Sequence, residues 1–240
     1  MTFCIGVRVR AGLVVLSDTR VVKGTEPSRK AKLSTLAVGD SEAVVMTSGL
    51  RSVRDKVVAR LEDQLATAQF DRFHEFATAY GDTLREVRAE DGPALAEGGH
   101  TFNSNAILAG QFSGDDDPVL MHVYPEGNWV EATDDAPYFV IGRSSYGKPI
   151  LDRLLTADST LEQATSLAYL AFDATSASAT DVGFPIDIGV QPRGDHRFSM
   201  RRFTRADMAD THAAWRDQLR TALDRLPTPW SDLVETGTLT

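Results

Sequence analysis

The sequence predicts an α+β protein in which two antiparallel sheets stack face to face and helices cover both outer faces, a four-layer αββα sandwich. Segments with strand patterns occur in runs that alternate with pairs of helical segments, as expected for this arrangement. Several strand segments are apolar throughout, among them LVVLS at 13–17 and AVVMTS at 43–48. Such continuous apolar runs indicate strands that are covered on both faces.

Two hairpins open the chain. Residues 2–9 alternate in polarity and pair with 13–17 across a short turn, so the first hairpin starts at residue 2. Residues 32–38 and 43–48 flank Gly-Asp at 39–40 and predict the second hairpin. The polar segment between the hairpins, 19–29, contains glycine and proline and predicts a loop.

Turn signals and helical spacing of apolar residues predict the remaining elements. In chain order these are a helix from 50, a helix over 71–87, a loop over 91–99, strands over 105–111, 119–123, 129–132 and 138–141, helices over 146–155 and 161–175, strands over 186–190 and 198–202, and a helix over 204–226. Ser159-Thr160 is the predicted N-cap of the second-last of these helices. We expect one domain over 1–240 with an irregular tail at 227–240.

Composition excludes several classes of function. The net charge of −9 disfavours binding to nucleic acid or to an anionic membrane surface. The single cysteine, Cys4, cannot form an internal disulfide, which favours a reducing compartment. No signal segment and no apolar run of membrane-spanning length is present, so we expect a cytoplasmic protein. The scattered histidines lack metal-ligand spacing, and we expect no metal and no cofactor.

The second residue is a candidate nucleophile. Thr2 is small enough to permit removal of Met1, and removal would leave a threonine with a free α-amine. This amine, with an ordinary pKa near 8, can act as the general base for the hydroxyl of the same residue. Many chains carry a small second residue for processing alone, so Thr2 indicates a nucleophile only in combination with neighbouring groups.

Asp18 and Lys32 provide those neighbours. Asp18 ends the second strand and lies beside the start of the first strand if the hairpin folds back on itself, while Lys32 opens the third strand near the same edge. A lysine close to the threonine would lower the pKa of the amine, because like charges repel. A carboxylate beside the lysine would keep it charged and fix its position. Taken singly, a capping aspartate and a solvated lysine are the simpler interpretations.

These motifs resemble the opening of a proteasome β-subunit, a member of the N-terminal-nucleophile (Ntn) hydrolases. The matching features are the N-terminal threonine, GLVVLSDTR, a lysine opening the next strand, and a strand followed by TSG and a helix. The resemblance implies that Thr2 is the nucleophile, that Asp18 and Lys32 support it, that the Gly49 N–H lines the oxyanion hole, and that Arg20 is structural. In the second half, YPEGNWVEAT, IGRSSYGKPILDRLL and VGFPIDIGV resemble the bacterial Anbu group.

Compared with the family, three features of the sequence differ. The loop before Lys32 is about one residue shorter than expected, which leaves Lys30 as an alternative, although Lys32 leads straight into the strand. The family places an aspartate and then a serine after the long helix, whereas this chain has Ser178 and Asp181 in exchanged order. A further supporting serine of the family corresponds to Arg143.

The resemblance also implies a substrate pocket and partners. By position, Val21, Thr47 and Arg51 would line the specificity pocket, and Arg51 suggests an acidic or polar substrate. The favoured function is a threonine peptidase that forms an acyl-enzyme and assembles into a homo-oligomeric ring or open ring. The alternatives are an amidohydrolase of a modified non-protein amide and a ring-forming scaffold with little catalysis. No residue indicates an ATP-dependent unfoldase partner.

Overall fold

Two antiparallel sheets form the centre of the computed structural model, which describes residues 2–23, 26–29, 32–231 and 233. The strands are β1 (Phe3–Val9), β2 (Gly12–Asp18), β3 (Arg20–Lys23), β4 (Glu26–Arg29), β5 (Leu33–Val38), β6 (Ser41–Gly49), β7 (Ser104–Gly110), β8 (Val119–Val123), β9 (Trp129–Glu131), β10 (Tyr138–Gly142), β11 (Ile186–Pro192) and β12 (Ser199–Phe203). The helices are α1 (Arg51–Leu65), α2 (Phe73–Glu97), α3 (Lys148–Leu154), α4 (Leu161–Ser178) and α5 (Ala209–Asp224). Two compact units are formed, Met1–Phe203 and Thr204–Thr240.

Each sheet of the first unit has five strands. The first sheet has the order β10-β1-β2-β11-β12 and the second has the order β5-β6-β7-β8-β9. All of these neighbouring strands pair antiparallel. The hairpin β1–β2 is therefore central in the first sheet, and β2 is buried along its whole length.

Apolar side chains fill the space between the four layers. One buried cluster lies between the second sheet and the helices α1 and α2, and includes Val45, Val57 and Phe76. A second cluster joins the two sheets through residues such as Val15 and Met46. On the far side, α4 packs on β1 and β2, and α3 packs on α4. The predicted four-layer αββα sandwich is confirmed.

Two predicted loops are wrong. The segment 19–29 contains β3 and β4, which pair as a separate two-stranded ribbon. The segment 91–99 continues α2 as far as Glu97, with Pro93 inside the helix. Proline removes one helical hydrogen bond. A contact from α1 stabilises this turn of α2, because Lys56 Nζ lies 2.7 Å from the carboxylate of Asp91.

The predicted N-cap of α4 is confirmed. The hydroxyl of Thr160 accepts the Gln163 N–H at 3.1 Å and caps α4. In the second unit α5 is shorter than the predicted helix over 204–226. The predicted tail 227–240 lies largely outside the described residues. Among the helices of the described ranges, none has the length and apolar character needed to cross a bilayer.

Candidate active site

The first hairpin brings Asp18 beside the start of β1. Cys4 pairs with Ser17, so the end of β2 lies opposite the residues that follow Thr2. The Phe3 N–H donates to Asp18 Oδ1 at 2.8 Å, and the Asp18 side chain is fully buried. The backbone next to the candidate nucleophile is thus attached directly to the predicted aspartate.

Lys32 forms an ion pair with Asp18. Its Nζ lies 2.7 Å from Asp18 Oδ1, and the two side chains are 6% and 0% exposed. Burial raises the pKa of Asp18, while the charge and hydrogen bond of Lys32 and the backbone N–H groups of Phe3 and Gly183 act in the opposite direction. The predicted pairing of Asp18 with Lys32 therefore occurs, and it occurs out of contact with bulk water.

The loop after β10 contacts Thr2 on the side of β1 opposite to Asp18. The Arg143 N–H donates to the Thr2 carbonyl oxygen at 2.8 Å, and the preceding residue, Gly142, pairs with Phe3. Gly142 has φ +89°, and a Cβ at this position would lie 1.9 Å from the Thr2 oxygen. Only glycine fits so close an approach. Our sequence analysis did not identify Gly142, although a glycine directly after a strand is a signal for such a contact.

A second ion pair lies on this side of Thr2. Arg143 Nε is 3.6 Å from Asp181 Oδ2, and the two side chains are 40% and 20% exposed. The pKa of Asp181 is lowered: burial acts to raise it, but hydrogen bonding by its own backbone amide and nearby positive charges, that of Arg143 among them, outweigh burial. Ser178 ends α4 with an exposed side chain. Of the two exchanged residues, it is Asp181 that contacts the loop covering Thr2.

Gly49 presents its amide towards Lys32. The Thr47 N–H donates to the Lys32 backbone oxygen at 3.0 Å. Amides two residues apart in a strand point to the same side, so the Gly49 N–H also points towards the edge of β6 where Lys32 lies. Gly49 has φ +127°, and a Cβ there would lie 2.1 Å from the backbone oxygen of Asn103. This position therefore requires glycine.

Predicted pocket residues differ in their placement. Thr47 is buried beside Lys32, because the β5–β6 register places these two residues opposite each other. Arg51 is the first residue of α1 and is exposed, with its Nε 3.0 Å from Asp55 Oδ2. Val21 lies in β3, and its side chain is outside the described residues.

Two further predicted positions can be placed. The side chain of Arg20 lies against Gly183, since its Cδ and Nη1 would each be 3.2 Å from a Cβ on that glycine. Gly183 is also the residue whose amide acts on Asp18. Arg20 therefore contacts the segment that contacts the aspartate, in line with the structural role implied for it. Lys30 lies outside the described residues.

Cys4 is the other nucleophilic side chain near the site. It is fully buried, and its Sγ is 3.3 Å from Ser17 Oγ. Burial raises the pKa of the Cys4 thiol to about 12; the hydrogen bond with Ser17 and the charge of Lys32 act to lower this pKa, and the charge of Asp18 acts to raise it. A thiol with this pKa stays protonated at neutral pH and is a poor nucleophile. Thr2 is therefore the better candidate of the two.

Comparison with known proteins gives consistent results. A sequence model of the family described as proteasome subunit matches residues 2–190. Anbu from Pseudomonas aeruginosa, described as a helical assembly of the Anbu complex, is 33% identical with TM-score 0.87, over 95% of this chain and 98% of that chain. Anbu, named as an ancestral beta-subunit, from Yersinia bercovieri is 32% identical with TM-score 0.85, over 94% and 97%.

A third structure, the Gly-1 mutant of Anbu from Hyphomicrobium sp. strain MC1, is 33% identical with TM-score 0.85, over 95% of this chain and 98% of that chain. Among curated proteins no match was found. The similarity to solved structures thus extends over nearly the whole chain, and the family model covers every residue placed around Thr2.

Proposed function

The chain belongs to the proteasome subunit family and has a fold related to that of Anbu, and on this premise we propose that it is an N-terminal threonine hydrolase. In this proposal Met1 is removed and Thr2 becomes the nucleophile that cuts peptide amide bonds. The observation that carries the proposal is the buried contact of Lys32 with Asp18, and of Asp18 with the Phe3 amide. A buried ion pair is costly to build, and here it is attached to the residue that follows Thr2.

The chemistry follows from the groups around Thr2. Its α-amine accepts the proton of its own hydroxyl as Oγ1 attacks the substrate carbonyl carbon. The C–N bond then breaks, the leaving amine takes the proton from the α-ammonium, and an ester on Thr2 remains. Water, deprotonated by the same amine, cleaves the ester and restores the hydroxyl. Lys32 disfavours the protonated form of the α-amine, because like charges repel.

Gly49 would stabilise the tetrahedral intermediate. Its N–H points to the side of β6 on which Lys32 lies, next to the end of β2. One backbone donor aimed at a developing oxyanion contributes about 3 kcal/mol to transition-state stabilisation. Thr47 is buried beside Lys32, and Arg51 is exposed at the start of α1. They would contact the substrate side chain.

Self-assembly is the second part of the proposal. The Anbu of Pseudomonas aeruginosa is described as a helical assembly, and this chain matches it over nearly its whole length. We expect copies of this chain to associate in a ring or open ring in the cytoplasm. Light scattering coupled to size-exclusion chromatography would measure the mass of the assembly, and a mass equal to one chain at micromolar concentration would contradict this part.

Intact mass is the first test of the hydrolase. A mass lower than that of the full chain by one methionine would support the proposal, and a full-chain mass would favour the non-catalytic scaffold. Thr2→Ala should abolish both peptide hydrolysis and labelling by an epoxyketone, while Thr2→Ser, which keeps a hydroxyl, should retain activity. Labelling that persists in Thr2→Ala would refute Thr2 as nucleophile. Labelling without cleavage of any peptide would favour a modified amide as substrate.

A further inference from the structure

The nucleophile and the oxyanion donor of the proposed site belong to different sheets. Thr2 directly precedes β1 of the first sheet, and Gly49 ends β6 of the second sheet. Both act on the same carbonyl group of the substrate, so the distance between them must be closely fixed. Displacement of a reacting group by about 1 Å can cost roughly a hundredfold in rate. A contact that joins the two sheets near these residues is therefore a candidate for control of the reaction.

His122 of β8 makes contacts with both sheets. Its ring centroid lies 5.6 Å from that of Phe139, which is in β10 of the first sheet, and 4.4 Å from that of Tyr124. Within the second sheet, its Nε2 is 3.2 Å from Oδ1 of Asn105 in β7. The histidine is partly buried. Two aromatic rings thus restrict the orientation of the imidazole while its Nε2 bonds to the neighbouring strand.

Asn105 connects His122 to the backbone that contacts Gly49. The Asn105 Nδ2 donates to Asn103 Oδ1 at 3.1 Å, and the Asn103 backbone oxygen accepts the Leu50 N–H at 2.8 Å. A Cβ on Gly49 would lie 2.1 Å from this same oxygen, so the two backbones are in close contact. The position of Gly49 therefore depends on Asn103, which in turn is held by the Asn105 side chain.

The network defines the direction of the histidine hydrogen bond. Because the amide nitrogen of Asn105 donates to Asn103, its oxygen is the atom that faces His122, and Nε2 of the ring must carry a proton. Burial lowers the pKa of His122, so at neutral pH the ring is neutral and has one N–H. A phenyl ring could occupy the same place between the aromatic rings, but it would leave the Asn105 oxygen without this donor.

We propose that His122 is a positioning residue that fixes the oxyanion donor Gly49 relative to the nucleophile Thr2, because it packs on β10 and hydrogen-bonds to β7. The β10 strand ends at Gly142, whose backbone contacts the Thr2 oxygen, so both sides of the histidine are connected to the site. The inference rests on the proposed function, since Thr2 and Gly49 have these roles only in a hydrolase. His122 need not touch the substrate.

Two substitutions separate the hydrogen bond from the packing. His122→Phe keeps a ring beside Phe139 but removes the donor, and it should lower kcat roughly tenfold with little change in KM, since the Gly49 amide acts on the transition state. His122→Gln places an amide nitrogen near the position of Nε2 and should retain most of kcat. Asn105→Ala should resemble His122→Phe, and the double variant should be no slower than either single variant, because both break one network.

His196→Phe is the matched control. His196 is also partly buried, and its Nδ1 is 3.0 Å from the backbone oxygen of Gln111, just beyond the opposite end of β7. This variant removes a comparable hydrogen bond from the same strand, far along the strand from Gly49, and should leave both kcat and KM unchanged. Circular dichroism would verify the fold of each variant, and Asn105→Ala provides the same test if His122→Phe does not fold.

Amide hydrogen exchange gives a readout that requires no peptidase activity. Mass spectrometry of peptides that contain Leu50 reports the bond from its N–H to the Asn103 oxygen. His122→Phe and Asn105→Ala should exchange several-fold faster in these peptides than the parent chain, whereas His122→Gln and His196→Phe should exchange at the parent rate.

Faster exchange at Leu50 together with a lower kcat, and recovery of both in His122→Gln, would support the inference. Unchanged exchange in folded His122→Phe would overturn it, whether or not hydrolysis is found, and so would faster exchange with an unchanged kcat. A retained Met1, or a parent chain that an epoxyketone does not label, would be a failure of the proposed function instead. Both are seen in the parent chain before any variant is compared.

Discussion

On each side of Thr2 a glycine lies against a neighbouring backbone oxygen, but the two sides differ in the burial of their ion pairs. We call residues 2–51 the N-terminal side and residues 142–183 the C-terminal side. Each side has a glycine with positive φ against a neighbouring backbone oxygen: Gly49 against Asn103 and Gly142 against Thr2. The ion pair of the N-terminal side is buried, whereas that of the C-terminal side is half exposed.

This difference would account for the positions at which the sequence is predicted to depart from the family pattern. Removing one partner of a buried pair leaves an uncompensated charge out of water, so Asp18 and Lys32 are mutually required. The side chains of Arg143 and Asp181 are 40% and 20% exposed and their charged atoms are 3.6 Å apart, so loss of one partner should cost less. We therefore expect folding to restrict the residue types on the C-terminal side less, and the three residues predicted to depart from the pattern, Arg143, Ser178 and Asp181, are all on that side.

The largest expected effect is that of Lys32→Ala. Asp18 would remain fully buried without its cation, which should cost about 3–5 kcal/mol of unfolding free energy. Urea denaturation followed by circular dichroism would measure this loss. The matched control is Arg60→Ala, which breaks exposed pairs with Glu86 and Glu90 and should cost about 1 kcal/mol or less.

The penalty for Lys32→Ala should also depend on pH. Burial already raises the pKa of Asp18 above its ordinary value of 3.8, and loss of Lys32 raises it further. The folded protein then binds a proton more tightly than the unfolded chain, so stability falls as pH rises through the folded pKa. We expect a small penalty near pH 4 and the full penalty at neutral pH. A penalty independent of pH would contradict the buried-carboxylate explanation.

Glycine substitutions should affect both sides alike. Gly49→Ala and Gly142→Ala each force a Cβ to within about 2 Å of a backbone oxygen at positive φ, as the separations of 2.1 and 1.9 Å show. Each should lose about 2–3 kcal/mol of stability and most of the activity. The control is Gly39→Ala, also at positive φ but with no atom within 4 Å, which should cost about 1 kcal/mol. Losses at either site no larger than at Gly39 would show that the backbone is not restrictive there.

The sequence predicted the N-terminal side better than the C-terminal side for a physical reason. Thr2, Asp18 and Lys32 have chemistry that is recognisable from residue type and from position at strand ends. Gly142 matters because the backbone of Thr2 approaches it closely, and such a contact produces no pattern of apolar residues in the sequence. Its partner is a carbonyl group, which every residue carries.

Prediction of the fold was limited for a similar physical reason. The β3–β4 ribbon pairs through its backbone and is separate from both sheets, whereas its polar residues, glycine and proline predicted a loop. In α2, Gly92 and Pro93 are local signals for a turn, yet the helix continues to Glu97. Contacts from α1 to Glu90 and Asp91 stabilise that turn of α2, and they come from residues 30 and 35 positions away. Local sequence does not contain that information.

A smaller effect is expected for Arg143→Ala on stability. Its contact with Asp181 is partly exposed and not a hydrogen bond, so its loss should cost about 1 kcal/mol or less in urea denaturation. The bond from the backbone N–H of residue 143 to the Thr2 oxygen is kept by alanine. A cost near that of Lys32→Ala would remove the contrast between the two sides.

The smallest expected effect, none, is that of Lys30→Ala. Lys30 was the alternative to Lys32 in the sequence, but the ion pair with Asp18 is formed by Lys32. If this pair sets the pKa of the Thr2 amine, Lys30→Ala should leave epoxyketone labelling and peptide hydrolysis unchanged. Lys32→Arg keeps the charge but not the ammonium geometry, so it should reduce both. Rates would be compared at equal concentration of folded protein, verified by circular dichroism. Loss of labelling in Lys30→Ala with retention in Lys32→Arg would reverse the assignment, because the required cation would then be Lys30 and not Lys32.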